Sequence, residues 1–372
     1  MKKTIKLFAL ILTIVMVVSL AACSGRNSKA AKAFFSSYGK ATPFSEGLVW
    51  SEMMGGATVF NESGKVIYQS GNKLDRSVPF KDGVSFYQSG KNYYIVDKNG
   101  KVTYQTPPYS DAKYEKILAY GDGKFLVYRY SREFGSDSGK TLGTIDKNGK
   151  ETTSFTPVSC NVSSNCDYLG DGVFLIDIEK TFDTTDGKCK NYHGKKHGEK
   201  SENGKIWIEV SDYSIGLYDL HTAEYQSLEG HTGKDHYVVN ETGINDGSYY
   251  NLNGEEIADI QLYKDKVIER RDFSKEGYTP LVLSDGGKFI TYVNMSGEEQ
   301  FKPIPAGSEY SIFGDLFAVG NKDSGIVTIY DCKGKERYHV ENVAVLKDLE
   351  LYENYFISGS ETENSRKYYF FK

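Results

Sequence analysis

Four things are scarce in this 372-residue chain, and each scarcity narrows the reading. Positive charge is not in excess: Lys+Arg number 45 against 50 Asp+Glu, for a formal net charge of −5. Nucleic-acid affinity rests on Lys and Arg neutralising phosphates, so a nucleic-acid partner is excluded. No Pro-, Gly- or Ser-rich linker and no charge block divides the body, and the eight prolines are scattered, which argues for one domain. Long apolar runs are missing except for Leu7 to Ala22, and those sixteen residues fall short of the roughly 20 that span a bilayer as a helix. Tryptophan occurs twice, against 29 Tyr and 20 Phe. Tyr and Phe are good strand residues, so this aromatic load reads first as sheet structure and second as an aromatic ligand-binding face.

The short apolar run carries a separate message. Lys2, Lys3 and Lys6 precede it, and it ends in Leu20-Ala21-Ala22-Cys23. A basic start, a short apolar core and small residues before the cut are the parts of a signal peptide over 1–22. Leu-Ala-Ala-Cys resembles the lipobox of bacterial lipoproteins. That resemblance implies diacylglycerol on Cys23, which becomes the first mature residue, anchored on the extracytoplasmic side of the cell membrane; the alternative is an ordinary secretory signal. Acyl chains contribute about 0.8 kcal/mol per buried CH₂, enough to hold a soluble body at a membrane surface. Removing Lys2, Lys3 and Lys6 from a formal charge of −5 leaves −8. Residues 23–33 are small and polar and read as a tether, with 34–372 as the single folded domain.

What fills that domain is repetition. Tyr93-Tyr94-Ile95-Val96-Asp97-Lys98-Asn99-Gly100-Lys101-Val102-Thr103-Tyr104 reads strand, tight turn, strand, with Asn99-Gly100 as a two-residue turn of positive φ. Related hairpins place glycines at 64, 100, 149, 254, 297 and 334, and a degenerate copy spans Ile215 to Tyr225. Spacings near 40 residues are those of β-propeller blades. A second element precedes the hairpins: an aromatic, an acid with Gly, then an apolar strand, as in Phe44 to Trp50, Phe80 to Phe86, Gly121 to Val127, Leu169 to Leu175 and Phe313 to Val319. These read as innermost strands, buried on both faces. Tyr352 to Ser358 and Lys367 to Phe371 supply two strands of a last blade, and Ala33 to Tyr38 a third, closing the ring between the two ends. The count is eight blades, with seven as the alternative because 160–245 is irregular.

The paired elements resemble the WG-type repeat of bacterial proteins, best at Phe44 to Leu48, Phe80 to Val84, Ile95 to Lys101 and Ile145 to Lys150. The hairpins are also similar to those of quinoprotein-type and WD-type propellers, without their tryptophans. The scarcity of Trp argues against a quinone, and the sequence implies no cofactor.

Catalytic signatures fail on spacing. Ser138-Gly139-Lys140-Thr141 has Phe134 where a phosphate-binding loop needs its first glycine. Gly135-Ser136-Asp137-Ser138-Gly139 has Asp at the nucleophile position, and Asp97 to Gly100 is explained by its turn. No catalytic residue is assigned. Five of six histidines lie between His193 and His236, near Cys160, Cys166 and Cys189. Cys160, Cys166, Cys189, His193 and His197 are candidate metal ligands in a Gly-, Lys- and Thr-rich segment that reads as an exposed insertion; a Cys160–Cys166 disulfide and unpaired thiols are the alternatives. Lys188, Lys190, Lys195, Lys196 and Lys200 make a basic patch there, either a solvated loop or a contact for anionic polymers. Cys332 falls at a hairpin tip and reads as exposed. The expectation is a surface binding or scaffolding module for a protein, peptide or glycan, with the insertion at 179–205 as its first candidate site. The alternative is a propeller-fold hydrolase or lyase acting on envelope or extracellular glycans or peptides.

Overall fold

Asp97 shows how the chain makes its turns. Its backbone N–H donates to Lys101 O at 2.9 Å, Gly100 N–H donates back to Asp97 O at 2.9 Å, and Asp97 Oδ1 accepts from the N–H groups of Asn99 and Lys101. Of the central residues only Gly100 has positive φ, +81°. This is a type I turn with a glycine bulge, not the two-residue turn of positive φ expected at Asn99-Gly100. The carboxylate of Asp97 caps the loop and makes the three-residue form the better one. Asp146, Asn61, Asn294 and Asp331 cap their own hairpins in the same way. Two-residue turns with both φ positive do occur, at the acid–glycine pairs Glu46-Gly47, Asp82-Gly83, Asp122-Gly123 and Asp171-Gly172.

In the computed structural model the described residues are 32–36, 42–53, 55–132, 139–158, 162–163, 166–177, 179–192, 194–202, 204–210, 214–228, 231–234, 237–240, 245–250, 255–271, 273–274, 276–343, 346–359 and 366–371. The expected leader 1–22, Cys23, the expected tether up to residue 31 and the expected hairpin tip at Gly254 lie outside them. Among the described residues there is no α-helix, and no helix long and apolar enough to cross a membrane. They form nine antiparallel sheets, numbered here by the place of their hairpins along the chain. The first has three strands, Leu48–Met53, Gly56–Asn61 and Val66–Gln69. Ahead of them Thr42 and Ser45 bond to Trp50 and Leu48 in the place of a further strand. Each of the others has four strands.

The ninth sheet joins the two ends of the chain. Lys32–Ser36 pairs antiparallel with Lys367–Phe370, with Phe35 opposite Tyr368 and Ala33 opposite Tyr369. This is the pairing expected of the terminal segments. Neighbouring sheets pack through apolar clusters. Phe86 and Ile95 of the second meet Phe125 and Val127 of the third. Ala318 and Ile329 of the eighth meet Phe356 and Tyr369 of the ninth, and Ile357 and Tyr368 of the ninth meet Val49 and Phe60 of the first. The body is thus all-β and propeller-like.

Two expectations change. The sheets number nine, not eight, because the fourth (Asp167–Gly170, Val173–Asp177, Lys180–Asp183, Lys188–Asn191) was read as one strand followed by an insertion. Its outermost strand, Lys188–Asn191, is largely exposed, so it needs no apolar residues and its Lys-rich sequence imitates a loop. Residues Lys195–Glu202 likewise form the first strand of the fifth sheet. The apolar segments after Asp82-Gly83, Asp122-Gly123 and Asp171-Gly172 are second strands, not innermost ones. Arg76–Ser77 and Lys113–Gly121 precede them at the sheet edge.

Antiparallel order sorts the loops. In the second and third sheets the acid–glycine turn and the capped hairpin fall at one end, and the turn between second and third strands falls with the inter-sheet connections at the other. The repeated motifs mark a structural end; the opposite end carries the irregular loops.

Candidate functional site

A groove of about 640 Å³ opens at the irregular end, across the second and third sheets and the connection that leads to the fourth. The third sheet supplies five of its twelve lining residues. In Lys113–Gly121, residues Tyr114, Lys116 and Leu118 alternate onto one face, while Glu115 and Ile117 take the other. The paired strand Lys124–Ser131 sets Tyr130 opposite Tyr114 and Tyr128 opposite Lys116. Tyr109 comes from the connection between the second and third sheets, and Gly90 and Lys91 from a turn of the second.

The tyrosines form a ladder. Tyr109 and Tyr114 stack with centroids 5.2 Å apart, and Tyr114 and Tyr130 at 5.1 Å. Lys91 Nζ stands 3.8 Å over the Tyr109 ring and Lys116 Nζ 5.5 Å from Tyr114. Lys140 completes a set of three ammonium groups, and among the described residues no carboxylate lines the groove. None of the three lysines forms an ion pair among the described residues. Tyr93, buried in the wall, has its phenol pushed above the ordinary value by burial, partly offset by Arg76. Because ladder faces are spent on one another and on Lys91, the groove offers ring edges, hydroxyls and positive charge. That suits an anionic ligand better than the apolar face of a neutral sugar.

A smaller cavity, about 400 Å³, is lined by Arg76, Val78, Ala119, Tyr120, Asp167 and Tyr168 among others, from the first-strand edges of three successive sheets. Its neighbours clamp one sheet to the next. Tyr120 donates to Asp82, Tyr168 donates to Asp122, Gly83 N–H donates to Glu46 Oε2 at 2.7 Å, and Gly204 N–H to Asp171 Oδ2 at 3.0 Å. The acids of the repeated acid–glycine pairs are these clamps.

The expected metal set is only partly within view. Cys160 and His193 lie outside the described residues, as do Gly135 to Ser138, and the side chain of His197 is not described. Cys166 is buried between the third and fourth sheets, its Sγ 3.2 Å from Ser163 O, and its expected partner Cys160 lies outside the described residues. Cys189 is exposed on the fourth strand of its sheet. Lys190 is no member of a solvated patch: its Nζ donates to Asp183 Oδ2 and His221 O, each at 2.7 Å. Asp183 also holds His221 Nδ1 at 3.0 Å. Burial pushes the Asp183 carboxyl up, but Lys190, Thr185 and His221 outweigh it and hold it well below the usual carboxylate range. Among the described residues, the one cluster with metal-ligand proximity is Glu276, Asp315 and Cys332, whose ligand atoms lie within 4.8 Å of one another. Cys332 is buried, contrary to expectation, because its hairpin tip is tucked against Tyr292 and Phe317.

Sequence reasoning assigned the tyrosines mainly to structure and so missed the groove. The signal was the alternation Tyr114-x-Lys116 facing Tyr128-x-Tyr130 on paired strands.

No protein-family model matches the chain, and no curated protein sequence matches it. Among solved structures it is similar to the computationally designed Ika8 protein, at 12% identity and TM-score 0.44, covering 93% of this chain and 100% of that one. It is also similar to BamB from Moraxella catarrhalis, at 14% identity and TM-score 0.43 over 92% of this chain and 98% of that one. A eukaryotic initiation factor matches at 12% identity and TM-score 0.49, over 81% and 86%.

Proposed function

We propose that the nine sheets close into a single propeller domain, held by lipid on Cys23 at the extracytoplasmic face of the cell membrane. It serves there as a binding module for an acidic segment of a protein or peptide. One observation carries the reading: Lys91, Lys116 and Lys140 ring a tyrosine ladder with no carboxylate among the described lining residues. A net-negative body that gathers unpaired ammonium groups in one groove gives it a potential opposite to the rest of its charge. Closure is supported by the apolar clusters, which join the eighth sheet to the ninth and the ninth to the first. The lipid anchor rests on Leu20-Ala21-Ala22-Cys23 alone.

The test is direct. Purified protein is titrated with a fluorescent peptide of alternating Glu and Tyr, its neutral Gln counterpart and an anionic glycan. Binding of the acidic peptide should weaken with salt and fall at least tenfold when Lys91, Lys116 and Lys140 are all changed to Gln. Equal binding of the Gln peptide, or no loss in the triple variant, would overturn the assignment, and preference for the glycan would change the partner class. Metabolic labelling with a palmitate analogue tests Cys23, and Cys23→Ser should lose the label.

The enzymatic alternative has a base with its orienter in His221 and Asp183. No hydroxyl or thiol is hydrogen-bonded to His221 Nε2 among the described residues, so the nucleophile of such a relay has no candidate. Binding is the better-supported reading.

A further inference from the structure

Arg270 is the one fully buried arginine among the described residues. It ends the first strand of the seventh sheet, Val267–Arg270, and is 1% exposed. Among the described residues none of its three guanidinium nitrogens has a hydrogen-bond partner. A guanidinium cannot shed its proton, so burial does not remove its charge. An unpaired buried charge is among the most costly arrangements a fold holds.

The register shows where it points. Arg270 lies opposite Leu281 on the strand Tyr278–Ser284, and opposed residues share a face. Leu281 belongs to the cluster that joins the seventh sheet to Tyr249, Ala258 and Ile260 of the sixth. The guanidinium is therefore directed into the boundary between these two sheets. Its chain neighbour Glu269 faces the other way, toward the eighth sheet, where it accepts from Tyr310 at 3.0 Å and from Arg271 Nε at 2.9 Å. Polar groups on Arg270's own face are already matched. The Tyr249 and Thr279 hydroxyls bond to each other at 3.2 Å, and Thr279 donates onward to Arg271 O. Both residues are fully buried. That chain of hydroxyls is complete without Arg270, and the described part of the cluster contains no carboxylate.

We infer that the boundary between the sixth and seventh sheets is an oxyanion site, in which Arg270 receives a two-oxygen carboxylate or phosphoryl group through its planar fork. That fork matches such a group with two parallel N–H···O bonds. The strand that carries Arg270 is an edge strand, paired on one side only, so a ligand approaches from its open side without breaking a ladder. This inference stands apart from the tyrosine groove and does not depend on it.

Thermal unfolding of the purified protein in chloride buffer tests it, with citrate in one arm and inorganic phosphate in the other. Wild type should show a saturable rise in midpoint of about 5 °C at 100-fold above half-saturation. Arg270→Met should melt no lower than wild type without the anion and should lose the rise, and Arg270→Gln should lose it as well. A rise with citrate alone assigns a carboxylate ligand, and one with phosphate alone a phosphoryl ligand. No rise in wild type with either anion, or an equal rise in the Arg270 variants, overturns the site.

Discussion

The Tyr120 hydroxyl of the third sheet donates to Asp82 Oδ2 of the second at 3.0 Å. Burial, then Asp82, hold that phenol above its ordinary value, so it stays a donor at every physiological pH. The bond joins the start of one repeat to the turn of the previous one. Tyr120→Phe removes it and leaves the ring against Phe125. The expected loss is about 1 kcal/mol in urea unfolding with an unchanged slope. A loss no larger than that of an exposed surface substitution would show that the clamp contributes nothing.

Two hairpin glycines with similar φ should respond differently to alanine. A Cβ on Gly100 would meet Ile67 O of the first sheet at 2.1 Å, whereas one on Gly123 meets nothing within 4 Å. Both carry the left-handed penalty of roughly 1 kcal/mol. Gly100→Ala adds a backbone clash between sheets, so it should cost at least about 2 kcal/mol more than Gly123→Ala. Equal midpoints in denaturant would contradict this.

Asp183 should govern part of the acid limb of stability. Its folded-state carboxyl is held below its unfolded value, so its contribution is complete above about pH 4 and fades as pH falls through the depressed range. Asp183→Asn should lose about 2 kcal/mol at pH 7, because Lys190 and His221 lose a buried charged acceptor. The gap between variant and wild type should narrow toward pH 2. A gap constant with pH would assign Asp183 a purely steric role.

The thiols should separate in an alkylation time course followed by mass spectrometry. Cys332 is buried, and burial with the nearby Asp315, Asp331 and Glu276 carboxylates pushes its thiol up to about 11. Cys189 is exposed. At pH 7.5 Cys189 should react at least tenfold faster than Cys332, since the thiolate is the reacting form. Comparable rates would show that the hairpin tip opens in solution.

Repetition made the hairpins legible: Asp97 to Lys101 and Asp146 to Lys150 announce themselves because the turn needs a capping acid and a left-handed glycine. The terminal pairing was legible for the same reason, since Lys367–Phe370 had no hairpin of its own to complete its sheet. The fourth sheet was not, because solvent-facing outer strands such as Lys188–Asn191 carry no apolar alternation to read. Nor was the burial of Cys332, which depends on a neighbouring sheet rather than on its own turn. The groove escaped because its parts come from two sheets and two connections, with no spacing along the chain that links Lys91 to Lys140.

The strand Lys32–Ser36 waits for a partner some three hundred residues downstream. At roughly 5–20 residues per second, synthesis leaves it without that partner for about 20–70 s. Until Lys367–Phe370 arrives, one sheet lacks an edge that the earlier chain has no means of covering. Synthesis of Lys367–Phe370 is the event that relieves this exposure.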